Sequence, residues 1–425
     1  MRTGIPNGLS ALGRRLAAPA IPAARERAAG QARATTMDWA IIRQATLLWL
    51  VTRVAFIVFT IFAVPFTHQS SHGTYSLRSF PPSSLLAQWN RWDTQWYGGI
   101  ATNGYHELHT AAFFPLYPLF IRLLAGLIGF DHLTLAALIV ANLGTLAAFI
   151  GLALVCRDEF GAAMVPFTIR ALAAFPLAFF LAGGYSDSLF LAFTTFTLLF
   201  ARRGAWLPAF VCAMLATWTR AFGIALILPL LWEYVQQHRG AGGDWRTSLA
   251  PRIILEALAL AAAVPLALAL WALYLWRRFG DPFAYLTAER QFWNHYSVSP
   301  WQWVSSAVTT MQHLPAWSFP QERALFDLIP VVTFLLLTLL TIRRLPTSFT
   351  LYLLGIMAIV FTSSIPLDFI PFNGEGRYML AAMPLFLLLG RLISRRPALD
   401  LLIVSGGFLL QGLFTAFFLR GGWLV

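Results

Sequence analysis

The stretch WAIIRQATLLWLVTRVAFIVFTIFAVP, residues 39–65, sets the class of this protein. At 1.5 Å rise per residue, about twenty apolar residues in a helix cross the ~30 Å hydrocarbon core of a bilayer. The stretch is too long for a signal-peptide core and lacks a small-residue cleavage site, so it reads as a transmembrane helix. Further apolar segments are centred near residues 144, 174, 193, 213, 229, 263, 334, 357, 385 and 409. The whole chain is 58% hydrophobic and only 11% charged, with a mean hydropathy of +0.67. Soluble domains carry about 25% charged residues. An outer-membrane barrel needs alternating strands of about ten residues, and none appear. The expectation is an all-α polytopic membrane protein.

The net charge of +12 does not signal a nucleic-acid partner, because all 30 basic residues are arginine and many sit in short connectors. Cytoplasmic loops collect such residues. The connectors are CRDEFG (156–161), ARRGAW (201–206), QQHRGAGGDWR (236–246), TIRRLP (341–346) and RLISRRP (391–397). All fall on the cytoplasmic side if FFPLYPLFIRLLAGLIGF, residues 113–130, lies along the outer surface instead of spanning. Pro115, Pro118 and Arg122 favour that placement. The count is then about eleven spans, with the amino terminus inside and the carboxyl terminus outside. Extracytoplasmic loops run over 67–132, 277–325 and 366–377, and the first carries interfacial helices. Residues 1–36, rich in Arg and Ala, read as a disordered tail or as an over-called start, with Met37 the true one. Residues 37–425 form a single transmembrane domain. Cys156 and Cys212 suggest neither a disulfide framework nor a zinc site.

Under this topology the unusual polar residues gather on the outer face. Asp93 lies in QWNRWDTQWYGGIATNGY (88–105), Asp187 in GGYSDS (183–188), Arg220 in TWTRAFG (217–223), and Glu375 and Arg377 in DFIPFNGEGRY (368–378). Polar groups at membrane depth cost several kcal/mol unless they are satisfied or hydrated, so their convergence points to a cavity. On a helix, Trp96 and Tyr97 share a face with Asp93. A carboxylate in such a partly desolvated aromatic setting becomes a stronger base. An interfacial helix, where Trp and Tyr collect anyway, would look the same.

Arg377 and Arg220 break the positive-inside trend. Either they bind an anionic group such as a phosphate or they snorkel to the interface. Glycines on both sides of Glu375 leave room for a ligand to approach the backbone. Asp187 orients an acceptor hydroxyl, pairs with an arginine, or merely caps a helix. Asp281, before a proline, reads as a turn former. His106 with His109, and His68 with His72, have ligand-like spacing but lack a full ligand set. No Walker loop, dinucleotide fingerprint or nucleophile elbow appears. No cofactor is called for, and a divalent metal is allowed but not indicated.

Several of these segments resemble the PIG-V family, the mannosyltransferases that add the second mannose to glycosylphosphatidylinositol. RWDTQWYGGIATNGY (91–105) followed by AFFPLYPLF (112–120) is similar to the family's first outer loop. FPLAFFLAGGYSDSLFLAF (175–193) and ARRGAWLPAFVCAMLATWTRAFGIALILPLLWEY (201–234) resemble its second and third signatures. FGDPFAYLTAERQFW (279–293) and GRYMLAAMPLF (376–386) resemble its later ones. The likeness runs from about residue 40 to 395, with the blocks in order.

The resemblance implies a GT-C glycosyltransferase fold and a dolichyl-type polyprenyl phosphate mannose donor. It makes Asp93 the expected catalytic carboxylate. Where the family usually has glutamate this chain has Asp187, which puts a direct catalytic role there in doubt. The short, all-arginine chain looks like a bacterial member in the plasma membrane. Its acceptor is then another extracytoplasmic glycan or glycolipid.

Together these readings make an inverting mannosyltransferase. Asp93 takes the acceptor proton and Arg377 and Arg220 hold the donor phosphate. Arg91, Trp92, Trp96, Tyr97, Tyr185, Asp187, Glu375 and Tyr378 bind or support the substrates. The rival readings are a GT-C transferase of another polyprenyl-linked sugar, such as glucose or arabinose, a lipid-linked sugar flippase or transporter, and a non-catalytic lipid-binding scaffold. A transporter predicts internal repeats and discontinuous helices, and no clear repeat is visible.

Overall fold

The computed structural model describes residues 39–67, 82–239, 250–342, 344–364 and 374–423. The 1–36 segment, His68, His72 and most of the 366–377 loop lie outside them. The described chain is almost wholly helical, as expected of an all-α membrane protein. Its helices are α1 (Trp39–Thr67), α2 (Pro82–Trp89), α3 (Asp93–Asn103), α4 (Leu116–Ile128), α5 (Leu133–Phe160), α6 (Val165–Ala173), α7 (Asp187–Arg202), α8 (Trp206–Thr219) and α9 (Ile227–Gln237). They continue as α10 (Pro251–Ala261), α11 (Ala263–Phe279), α12 (Ala284–Phe292), α13 (Pro300–His313), α14 (Phe319–Thr341), α15 (Thr347–Phe361), α16 (Glu375–Tyr378), α17 (Met383–Ile393) and α18 (Pro397–Leu419). One short antiparallel pair, β1 (Tyr296–Ser297) with β2 (Ser363–Ser364), ties the loop after α12 to the end of α15.

Four helical segments are long and apolar enough to cross a bilayer: Trp39–Phe62, Phe130–Phe160, Phe319–Thr341 and Pro397–Leu419. Two more arise if bent pairs count as single spans, α10 with α11 at 42° and Glu375–Ala381 with α17 at 83°. Leu116–Ile128, Ala162–Ala173, Trp206–Thr219 and Thr347–Phe361 are apolar but shorter. A helix of fifteen residues reaches only about 22 Å, so each needs flanking chain to complete a crossing. Length and composition therefore pick out four to six spans where the hydropathy profile suggested about eleven. The segments centred near 174, 193, 213, 229 and 357 make the difference: they fold as the shorter helices α6, α7, α8, α9 and α15.

α7 is the centre of the molecule. Most of its residues are buried, including Asp187, Ser188, Thr194 and Thr195. It packs on α5 and α8. The α5 seam is made by glycines: a Cβ on Gly144 would lie 2.9 Å from Leu189 Cδ2, and one on Gly151 would lie 2.9 Å from Thr195 Cγ2. Small residues allow such close approach where apolar surface alone gives no drive to associate. α1, by contrast, exposes Leu50, Val51, Val54, Ile57 and Phe62, as a lipid-facing helix should.

The two ends of α7 carry opposite kinds of polar structure. Its last residue, Arg202, donates from Nε and Nη2 to Glu159 at 2.7 and 3.0 Å, and from Nη1 to Glu233 at 3.0 Å. Ser348 and Gln237 also bond the Glu233 carboxylate. This network gathers the CRDEFG and ARRGAW connectors. Asp187 opens the helix at the other end, about 22 Å away.

Candidate active site

Three chain breaks meet at the Asp187 end. α3 begins at Asp93, α8 stops at Thr219 before an extended Arg220, and α16 is a single turn containing Arg377. Helix ends leave backbone groups without internal partners, so polar side chains gather there. Asp93 is preceded by Trp92 at φ 50°, a region that disfavours residues with a Cβ. Held conformations of this kind concentrate at functional sites.

Asp187 accepts from Arg220 Nη1 at 2.6 Å through Oδ1. Its Oδ2 accepts from Arg377 Nε at 3.0 Å and Nη2 at 2.7 Å. The remaining terminal nitrogen of Arg377, Nη1, donates to Asp93 Oδ2 at 3.0 Å. Two acids and two guanidinium groups thus form one charge-balanced cluster. Arg377 is only 5% exposed, and its guanidinium carbon sits 4.4 Å from the Tyr185 ring centroid and 4.9 Å from that of Phe180. Cation–π contact adds to its fixation. Arg220 commits one nitrogen to Asp187 and lies over Tyr378 at 5.2 Å. Asp93 Oδ1 is bonded by no group among the described residues.

Beside this cluster lies a cavity of about 480 Å³, within the usual range for ligand pockets. Asp93, Arg220 and Arg377 all line it, with Trp92, Trp96, Tyr97, Glu375 and Tyr378. Asp187 and Tyr185 stand behind the lining, holding Arg377 from below. Arg91 is not brought to the cavity; it donates to Gln88 Oε1 and to the Leu419 carbonyl. That arginine belongs to the packing of α18 against the loop before α3, a role decided by a residue 328 positions away. Tyr97 donates to Ser186 Oγ at 2.8 Å. Burial, with the Asp93 charge close by, raises its phenol above the ordinary value, so it stays a neutral donor.

The glycines around Glu375 serve a different purpose from ligand approach. Gly376 N–H donates to Asp327 Oδ1 at 2.9 Å, and a Cβ on Gly376 would sit 3.0 Å from the Phe326 carbonyl oxygen. Asp327, fully buried on α14, thereby ties down the turn that carries Arg377. Nothing in the sequence singles it out, because Glu322 and Arg323 precede it in the same polar start of the helix. Glu289, Trp293 and His295 also line the cavity and went unnoticed as individual residues. Asp281 behaves as a turn former, accepting from Phe283 N and Thr287 Oγ1. His106 contacts Arg278, and His109 contacts Glu107.

Residues 81–284 match the family model described as Mannosyltransferase (PIG-V). That stretch, just under half of the chain, is similar to the PIG-V mannosyltransferases. No curated protein matches it. The family match takes in Asp93, Asp187 and Arg220 and ends short of Arg377. The similarity supports a glycosyltransferase, which moves a mannosyl group from a sugar donor to an acceptor, and the apolar helices suit a membrane protein.

Proposed function

We propose that this chain transfers mannose from a polyprenyl phosphate mannose to an extracytoplasmic glycan or glycolipid acceptor by a single inverting displacement. The acceptor hydroxyl oxygen attacks the anomeric carbon, its proton passes to Asp93 Oδ1, and the bond to the phosphate oxygen breaks. Polyprenyl phosphate leaves with the electron pair. A sugar hydroxyl is a weak nucleophile and one positioned carboxylate suffices to assist it. The leaving phosphate gains charge, so cationic donors fixed beforehand act where they count most. Arg220 meets that charge directly. Arg377 orients Asp93 and adds positive potential, with its nitrogens directed by Asp187.

The observation that carries this reading is that Asp93 and Arg220 line one cavity while Arg377 bridges Asp93 to Asp187. The lipid tail of the donor lies between spans, so no soluble donor-binding domain is needed. The test offers the purified protein polyprenyl phosphate mannose and a panel of acceptors in liposomes, with products identified by mass spectrometry. Asp93→Asn should abolish transfer and leave donor binding within a few-fold of wild type. Substantial turnover by that variant would sink the base assignment.

A further inference from the structure

The segment from α12 to β1 builds a wall of the cavity for which the transfer chemistry above has no use. Tyr285, Glu289, Trp293 and His295 all contribute to it. Glu289 Oε2 lies 3.0 Å from His295 Nδ1, and the Tyr285 phenol stands beside the same carboxylate. The pairing depends on a chain reversal: Asn294 takes φ 55°, and His295 N–H returns to the Glu289 carbonyl at 2.8 Å. Asn tolerates that left-handed conformation better than most residues. Trp293 is pinned by its indole N–H to the His109 carbonyl at 3.2 Å, and it meets Trp96 edge-on at 5.7 Å.

A carboxylate has about four lone-pair sites. His295 orients Glu289 and leaves it acceptor capacity, and its side chain is 20% exposed at the cavity wall. A fixed carboxylate beside flat apolar rings suits a neutral polyol, whose vicinal hydroxyls donate while its C–H face packs on the rings. It repels a phosphate, which belongs with Arg220. Trp96 lies one turn beyond Asp93 on α3, so this wall adjoins the group that takes the proton. The sugar whose hydroxyl attacks must sit there.

We propose that Glu289, held by His295 and flanked by Tyr285, Trp293 and Trp96, is the binding site for the acceptor's terminal hexose. The proposal rests on the reading of the cavity as a transfer site, and its test separates the two. Wild type and Glu289→Gln are placed in lipid nanodiscs, which avoids sugar-based detergents. Each is titrated calorimetrically with a panel of methyl hexosides, with polyprenyl phosphate, and with polyprenyl phosphate mannose.

At least one methyl hexoside should bind wild type and bind Glu289→Gln about tenfold more weakly, a difference of ~1.4 kcal/mol. Both lipid phosphates should bind the variant within about twofold of wild type, which also shows that it folds. If Glu289→Gln does not fold, Trp293→Leu takes its place with the same expectation. Equal hexoside affinity in wild type and variant overturns the proposal, as does a wild type that binds no hexoside at millimolar concentration. Loss confined to the mannosylated donor also overturns it, because the wall then holds the donor sugar. Glu289-dependent hexoside binding by a protein that ignores polyprenyl phosphate supports the subsite and removes the donor reading instead.

Discussion

One carboxylate, Asp187, sets the separation of two guanidinium groups, holding Arg220 through Oδ1 at 2.6 Å and Arg377 through Oδ2 at 2.7 Å. It is 5% exposed, so neither ion pair is diluted by bulk water. Removing one partner from a buried ion pair leaves an uncompensated charge and costs about 3–5 kcal/mol. Asp187→Asn should lower thermal stability markedly and reduce transfer at least a hundredfold, because both arginines lose their anchor. Asp187→Glu keeps the charge and should retain most of the stability. Melting curves in nanodiscs, alongside transfer assays, check both. Equal stability of the Asn variant and wild type would show the cluster to be a bystander.

The two arginines should separate kinetically. Arg220 has one nitrogen on Asp187 and lines the cavity, so Arg220→Ala should weaken donor binding most. Arg377 has three of its nitrogens on two acids. Arg377→Lys supplies the charge without the planar fork, so it should lower kcat with a smaller change in donor KM. A KM effect larger for Arg377 than for Arg220 would reverse the assignment.

The turn that carries Arg377 depends on Asp327. Gly376→Ala forces a Cβ to 3.0 Å from the Phe326 carbonyl oxygen and 3.1 Å from Asp327 Oδ1. Overpacking of this kind costs roughly 1–3 kcal/mol. The expected outcome is a lower melting temperature together with reduced kcat, since the shift is passed to Arg377. A variant that melts earlier but keeps its kcat would place Asp327 outside catalysis and leave it only a folding role.

The far end of α7 provides the contrast. Arg202→Ala strands the buried Glu233, which is 3% exposed. The loss should reach about 3 kcal/mol after allowance for the partial exposure of the arginine. Activity per folded molecule should stay near wild type, because the network lies about 22 Å from Asp187. Stability from denaturant melts and single-turnover rates on the folded fraction measure the two effects separately.

Hydropathy in the sequence already specified a helical membrane protein. Each apolar run records its own burial, and no pairing with distant residues is needed to see it. Asp93, Asp187, Arg220 and Arg377 were visible for the same reason: a charge in an apolar context stands out wherever it finally sits. The identity of their partners was not visible. Arg377 meets Asp93 across 284 positions and Asp187 across 190, and no local period encodes such pairings.

Glu289 and Asp327 sit in ordinary-looking stretches and acquire their partners only when α12 packs at the cavity and α14 packs against the turn that carries Arg377. Arg91 shows the reverse, a conspicuous charge that packing draws away to the Leu419 carbonyl. Hydropathy likewise cannot distinguish one span from two half-helices bent by 83°. The sequence determined which residues resist burial in lipid. Tertiary packing alone decided which of them face one another, because an ion pair between helix ends depends on how whole helices cross.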